Sequence, residues 1–232
     1  MKKITFTLSI FILLSILFSC SPSLRILMKD DNSTEFNVAI TNTESFFSNF
    51  SAFMDFSEDN FYDDQALQLS LQDLGFTDIF IETNTNTDIK INAQIQNQNF
   101  ADEENPLSTL ISIAENNFTI KINPTNIIEL LCTIPEITDY LDLLMAPVYT
   151  GEELSESEYL ELFASVYGES FAKDFENTNL LLQIEVLQNI KQIQTESQSI
   201  GTVEFSNKTA KIKIPLYKLL CKQDLTSFKI EF

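Results

Sequence analysis

The sequence predicts an α+β fold: a mostly antiparallel, curved sheet with amphipathic helices packed on one face. Three observations carry that expectation. Several short segments alternate apolar and polar residues with a period of two, as half-buried strands do. Asn-rich connections between them suit tight hairpins. Other segments repeat apolar residues every three or four positions behind N-terminal capping patterns, as core-facing helices do. Segregated runs of strands and helices are the mark of α+β architecture.

In chain order, Phe36, Val38 and Ile40 alternate with Asn37, Ala39 and Thr41 as a strand. From Thr43 a helical pattern gathers Phe46, Phe47, Phe50, Phe53 and Met54 on one face. Such a stripe packs into a core or lines a hydrophobic-ligand cavity, and core packing is the ordinary outcome. Ser57 to Asp64 is an acidic loop without the alternating Asp/Asn ligands and central Gly of an EF-hand, so it reads as solvated and no metal site is predicted. Asp64 then caps a helix carrying Leu67, Leu71 and Leu74, and Gly75 can supply a left-handed stop. Ile79 and Ile81 form one arm of a hairpin and Ile89, Ile91, Ala93 and Ile95 the other, whose polar alternate residues predict a wet sheet face. Asn97 to Asn105 reads as a loop. Leu107 to Ala114 fits strand or helix, and the Asn116-Asn117 turn before Phe118, Ile120 and Ile122 favours a second hairpin.

The centre reads as helical. Thr125 or Asn126 caps a run with Ile127, Ile128, Leu130 and Leu131; Thr133-Ile134-Pro135-Glu136 opens the next helix, which ends at Ala146-Pro147. Ser155-Glu156-Ser157-Glu158 is a further capping box, followed by Tyr159, Leu160, Phe163, Val166 and Tyr167 and a stop at Gly168. These helices would cover the sheet or form a lid over a cavity. Leu180, Leu182, Ile184 and Val186 then form a strand, Gln188 to Ile200 a polar loop, and Val203 and Phe205 a hairpin with Ala210, Ile212 and Ile214 around Asn207-Lys208. Pro215 breaks into a short helix containing Cys221, and Phe228, Ile230 and Phe232 end the chain as a docked strand.

Composition narrows the function classes. The chain has 232 residues, 34 acidic and 14 basic, and a net charge of −20. Such a charge repels phosphate backbones and no basic stripe is expected, so nucleic-acid binding is set aside; it equally repels anionic lipid head groups, which leaves an acyl anchor as the one expected membrane contact. With no histidine, the commonest proton-transfer group, Ser-His and Cys-His nucleophiles and His-based metal sites are absent, while enzymes that use carboxylates remain possible. No cofactor motif is present. Cys132 and Cys221 each follow a Leu-Leu pair and suit either buried thiols or one disulfide.

The N-terminus assigns a location. Met1-Lys2-Lys3 is positively charged, Ile4 to Phe18 is apolar, and Ser19-Cys20-Ser21-Pro22 ends the run. This is signal-peptide grammar and shorter than a spanning helix of about 20 residues. Leu17, Ser19 and Cys20 resemble the lipobox of bacterial lipoproteins; Phe18 departs from it in a way similar to the relaxed lipoboxes of spirochaetal lipoproteins. The stretch Tyr140 to Glu153 resembles a segment of uncharacterised spirochaetal lipoproteins, with a fainter likeness at Ile214-Pro215-Leu216. The resemblance implies acylation of Cys20 by chains such as palmitate and an envelope home, and it names no activity. An ordinary secretory signal with a chance cysteine is the competing reading.

On this reading residues 1–19 are a lipoprotein signal peptide, 20–34 an acylated N-terminus and tether that becomes ordered near Leu24 to Met28, and 35–232 a single α+β envelope domain. Removal of residues 1–19 takes away Lys2 and Lys3 and no acid, so the mature charge is −22 over 213 residues. The expected function is a membrane-anchored, non-catalytic binding or structural module for a hydrophobic or small ligand or an envelope protein. The alternative is a carboxylate-dependent glycan hydrolase, with Glu152, Glu153, Glu156 and Glu158 as the densest acids. Those acids surround a helix start, where the dipole favours them without catalysis.

Overall fold

A computed structural model describes residues 22–41, 64–83, 88–122, 154–195, 200–221 and 226–232. The helix expected from Thr43, the helices between Thr125 and Pro147, Cys20 and Cys132 lie outside these residues. Among the described residues the protein is α+β, with eleven strands and four helices.

The strands form two sheets, where the sequence predicts one, because alternation marks a strand without naming its partners. The larger has seven strands in the order β3-β4-β2-β1-β7-β10-β9. These are β1 (Ser23–Met28), β2 (Ser33–Thr41), β3 (Thr77–Thr83), β4 (Asp88–Gln96), β7 (Asn179–Glu185), β9 (Thr202–Ser206) and β10 (Thr209–Pro215). Every neighbouring pair is antiparallel except β1 and β7, which run parallel with Leu24 opposite Leu182 and Ile26 opposite Ile184. The smaller sheet, β5-β6-β11-β8, is antiparallel throughout. It contains β5 (Ile111–Ala114), β6 (Asn117–Ile122), β8 (Gln192–Thr195) and β11 (Thr226–Glu231).

Ser23–Met28, within the 20–34 segment where order is expected near Leu24 to Met28, is a central strand. Leu24, Ile26 and Met28 alternate with Arg25 and Leu27, and Ile26 is fully buried. The turn to β2 is held by Asp31, whose carboxylate accepts the Ser33 backbone N–H at 3.1 Å, and by Asn32 at φ 63°. Gln192–Thr195, expected within a polar loop, is a strand because it pairs with β11, Ile193 lying opposite Ile230.

Helix α1 (Asp64–Asp73) begins at Asp64 and buries Leu67. It ends at Gly75, φ 90°, whose N–H donates to the Gln72 carbonyl while the Phe76 N–H reaches the Leu71 carbonyl. This is the Schellman arrangement, which needs a left-handed residue at that point. Helix α2 (Glu156–Tyr167) opens on the full capping box: the Glu158 N–H donates to the Ser155 hydroxyl, and the Glu158 carboxylate accepts the Ser155 N–H. After Gly168 a helix that the sequence reading left out, α3 (Glu169–Asn177), buries Phe171, Ala172 and Phe175. Phe163 of α2 stacks on Phe175 at 4.3 Å between ring centroids and on Phe171 at 5.7 Å, with fully buried Tyr159 6.2 Å from Phe175. Offset aromatic packing of this kind adds to area burial. The short helix α4 (Leu216–Cys221) follows β10 directly, buries Leu216, Leu219, Leu220 and Cys221, and is tied to α2 by the Lys218–Glu156 ion pair at 3.1 Å. Buried apolar residues from both sheets and all four helices form one cluster.

Two glycines are predicted to resist substitution. At Gly75 an alanine would sit in the left-handed region and meet the Asn99 side chain at 2.6 Å, so Gly75→Ala should lower unfolding stability by about 1–2 kcal/mol. At Gly201 an added methyl would collide with the Lys213 backbone carbonyl. Gly201→Ala should cost about 1–3 kcal/mol by overpacking the β9–β10 hairpin. Denaturant titrations of both variants against the parent protein check these values.

Candidate functional site

The two faces of the seven-stranded sheet differ sharply. One carries Ile89, Ile91, Ala93, Ile95, Phe36, Ile40, Ile26, Leu182, Ile184, Ala210, Ile212 and Ile214, all buried. The other must then present the alternate residues, because side chains switch faces at every step along a strand.

Strand register sets those alternate residues in rows. Across β3, β4, β2, β1, β7, β10 and β9 the first row reads Glu82, Lys90, Ala39, Ser23, Leu181, Lys213, Thr202. The second reads Phe80, Asn92, Asn37, Arg25, Gln183, Lys211, Glu204. The third, from β4 onward, reads Gln94, Glu35, Leu27, Glu185, Thr209, Ser206. Over β1, β7, β10 and β9 the first two rows form an open groove of about 510 Å³, lined by Ser23, Arg25, Leu181, Gln183, Thr202, Glu204, Lys211 and Lys213 among others. A second depression of about 390 Å³ adjoins it through Thr202 and Lys213 and reaches Lys218. Leu181 is 37% exposed in the groove, and Phe80 is 59% exposed at the opposite edge of the same face.

The charges of this face are sorted by row. The third row holds two carboxylates, both engaged. Glu185 accepts from Arg25 Nε at 2.8 Å and from Gln183 Nε2 at 2.8 Å. Glu35 pairs with Lys29 at 2.6 Å and accepts from Asn37 Nδ2 at 3.1 Å. These bonds favour the ionised carboxylates. Arg25 holds Glu185 below the ordinary carboxylate range, and Lys29 does the same for Glu35. In the first two rows, Lys211 and Lys213 are exposed and make no ion pair within 4 Å among the described residues. A chain with more than twice as many acids as bases thus gathers three cations in one groove.

A sequence signal for this cluster exists, and it was obscured by the net charge. From Phe205 to Gln223 the chain contains five lysines and no acidic residue. Alternation places Lys211 and Lys213 on one face of β10.

Of the sequence-predicted candidates, two acids fall among the described residues. Cys20, Glu152 and Glu153 lie outside the described residues. Glu158 is used in the capping box and Glu156 in the pair with Lys218, so each has a structural partner at the start of α2. The buried Cys221 thiol lies 3.5 Å from the Leu154 carbonyl oxygen. Burial pushes the phenol of Tyr159 well above its ordinary value, which keeps it neutral inside the helical layer. Among the described residues no group of three potential ligands could hold a metal ion, and no helix is long and apolar enough to cross a membrane.

The Arg25–Glu185 bond predicts a pH dependence. A carboxylate whose folded pKa is depressed adds stability above its unfolded value, about 4.3, and loses it as pH falls through the folded value below that. Between roughly pH 4.5 and the acid limit of folding, the parent protein should therefore lose more stability than Glu185→Gln does. Urea titrations of both proteins from neutral to acid pH measure the difference; parallel curves would count against the bond.

No protein-family model matches the chain, and no curated protein matches it in sequence.

Proposed function

We propose that the protein is a bacterial envelope lipoprotein, acylated at Cys20, that presents a non-catalytic binding or structural domain at the bilayer surface. The observation that supports this most strongly is the end of the apolar run, where Leu17, Ser19 and Cys20 resemble a lipobox. β1 begins at Ser23, three residues beyond Cys20, and an extended chain covers at most about 3.6 Å per residue. An acyl anchor at Cys20 would hold the sheet within about 10 Å of the head groups, with no long tether. Each buried methylene adds about 0.8 kcal/mol of membrane affinity, so two or three chains would suffice without any apolar span.

The binding surface in this reading is the polar sheet face, whose groove lies within the size range of small-ligand sites, roughly 300–1,000 Å³. The buried face is the seat of the helices. Support for this comes from α4, which continues directly from β10 and its buried Ala210, Ile212 and Ile214, and from the right-handed twist that curves open sheets of this size. The engagement of Glu156 and Glu158 at a helix start argues for a non-catalytic role over a carboxylate-dependent hydrolase.

Mass spectrometry of the native protein tests the anchor: the mature chain should begin at Cys20 and carry acyl mass there. Cys20→Ala should leave the uncleaved precursor missorted, or release the body from the membrane fraction. A correctly cleaved Cys20→Ala protein with unchanged membrane partition would overturn the proposal.

A further inference from the structure

We infer that the Ser23 end of the sheet face is a second, electrostatic membrane contact, in which Lys213 and Lys211 meet the phosphates of anionic lipid head groups. The inference rests on the proposed attachment of the chain through its N-terminal segment, and it adds a surface and a ligand chemistry to it.

Three observations combine. The apolar run from Ile4 to Phe18 ends shortly before Ser23, so whatever anchors the chain also sets Ser23 close to the bilayer. Ser23, Leu181 and Lys213 are direct cross-strand neighbours, which puts Lys213 two strands, or about 10 Å, from Ser23. That distance is about one screening length at physiological salt, close enough for an exposed ammonium to sense the surface charge.

The third observation is the polarity of the face. The row through Ser23 has two lysines and one acid, Glu82, which sits beside Lys90. The next row has Arg25 and Lys211 against Glu204, while the third row, farthest from the anchor, has Glu35 and Glu185. Over β1, β7, β10 and β9 the face therefore runs from net positive in the rows of Ser23 and Arg25 to net negative in the row of Glu185, while on β4 Lys90 lies between Glu82 and Asp88. An anionic surface would attract the first and repel the second, orienting the domain as well as holding it. Arg25 and Lys218 are paired with Glu185 and Glu156, whereas Lys211 and Lys213, like Lys90 on β4, make no ion pair among the described residues. The overall negative charge works in the same direction, since the acidic remainder of the surface is repelled outward.

Lysine acetylation footprinting tests this on the full chain, reconstituted in nanodiscs of phosphatidylcholine alone or with about 30% phosphatidylglycerol. Anionic discs should slow modification of Lys211 and Lys213 by about fivefold and leave exposed Lys173 on α3 unchanged, and roughly 0.5 M NaCl should abolish the protection. The Lys211→Glu/Lys213→Glu double variant alters only exposed side chains. It should lose the difference between disc types that is read at amide exchange in β9 and β10.

Equal labelling in both discs would overturn the inference. So would protection in neutral discs on adding inorganic phosphate, which would assign the groove to a soluble anion. The discs hold the chain by acyl groups or by its uncleaved apolar segment, so this result is separate from the acylation state of Cys20.

Discussion

The larger sheet depends on one strand. β1 lies between β2 and β7 and, among the described residues, is the only strand joining an N-terminal block, β2-β4-β3, to a C-terminal block, β7-β10-β9. Its pairing with β7 is parallel, a geometry that cannot be made by a local turn and here joins residues about 160 positions apart. Ile26 and Ile184, both fully buried, meet across that pair, and Arg25 bonds Glu185 on the opposite face. Apolar contact on one side and a charge-assisted hydrogen bond on the other fix register where a slip of one residue would exchange the two faces. The polar groove, the buried wall beneath it and the row order of the charges all inherit that register.

Local periodicity made most of the strands legible. The clean alternation of Ile89, Ile91, Ala93 and Ile95, the Asn207-Lys208 turn and the terminal Phe228-Ile230-Phe232 pattern each match a strand or hairpin of the fold. The capping box at Ser155 matches as well, because its chemistry is complete within four residues. Elements whose reason for existing is a distant partner were harder to read. β8 has Ile193 as its one apolar residue and is a strand by virtue of β11. α3 holds Phe171, Ala172 and Phe175 among charged neighbours, and its apolar side is explained only by the rings of α2. Order near Leu24 to Met28 is legible, but the central place of β1 in the sheet needs its distant parallel partner β7.

The groove was missed for a different reason. Net charge is a whole-chain quantity, and binding surfaces are local. The lysine-rich, acid-free stretch around β10 is visible in the sequence, yet its meaning needs β7 and β1 beside it to add Gln183, Leu181, Arg25 and Ser23. Of the acids near it, Glu204 lies opposite Lys211 in the same row, and Glu35 and Glu185 stand one row away, held by their own hydrogen bonds.

The central position of the first strand also dictates an order of events in folding. Until Asn179–Glu185 has been made and delivered, β1 has no parallel neighbour, and the two halves of the sheet cannot be joined. Closing so large a loop is entropically slow, so the sheet completes late. A chain exported from its N-terminus would consequently cross a membrane with its central seam unmade.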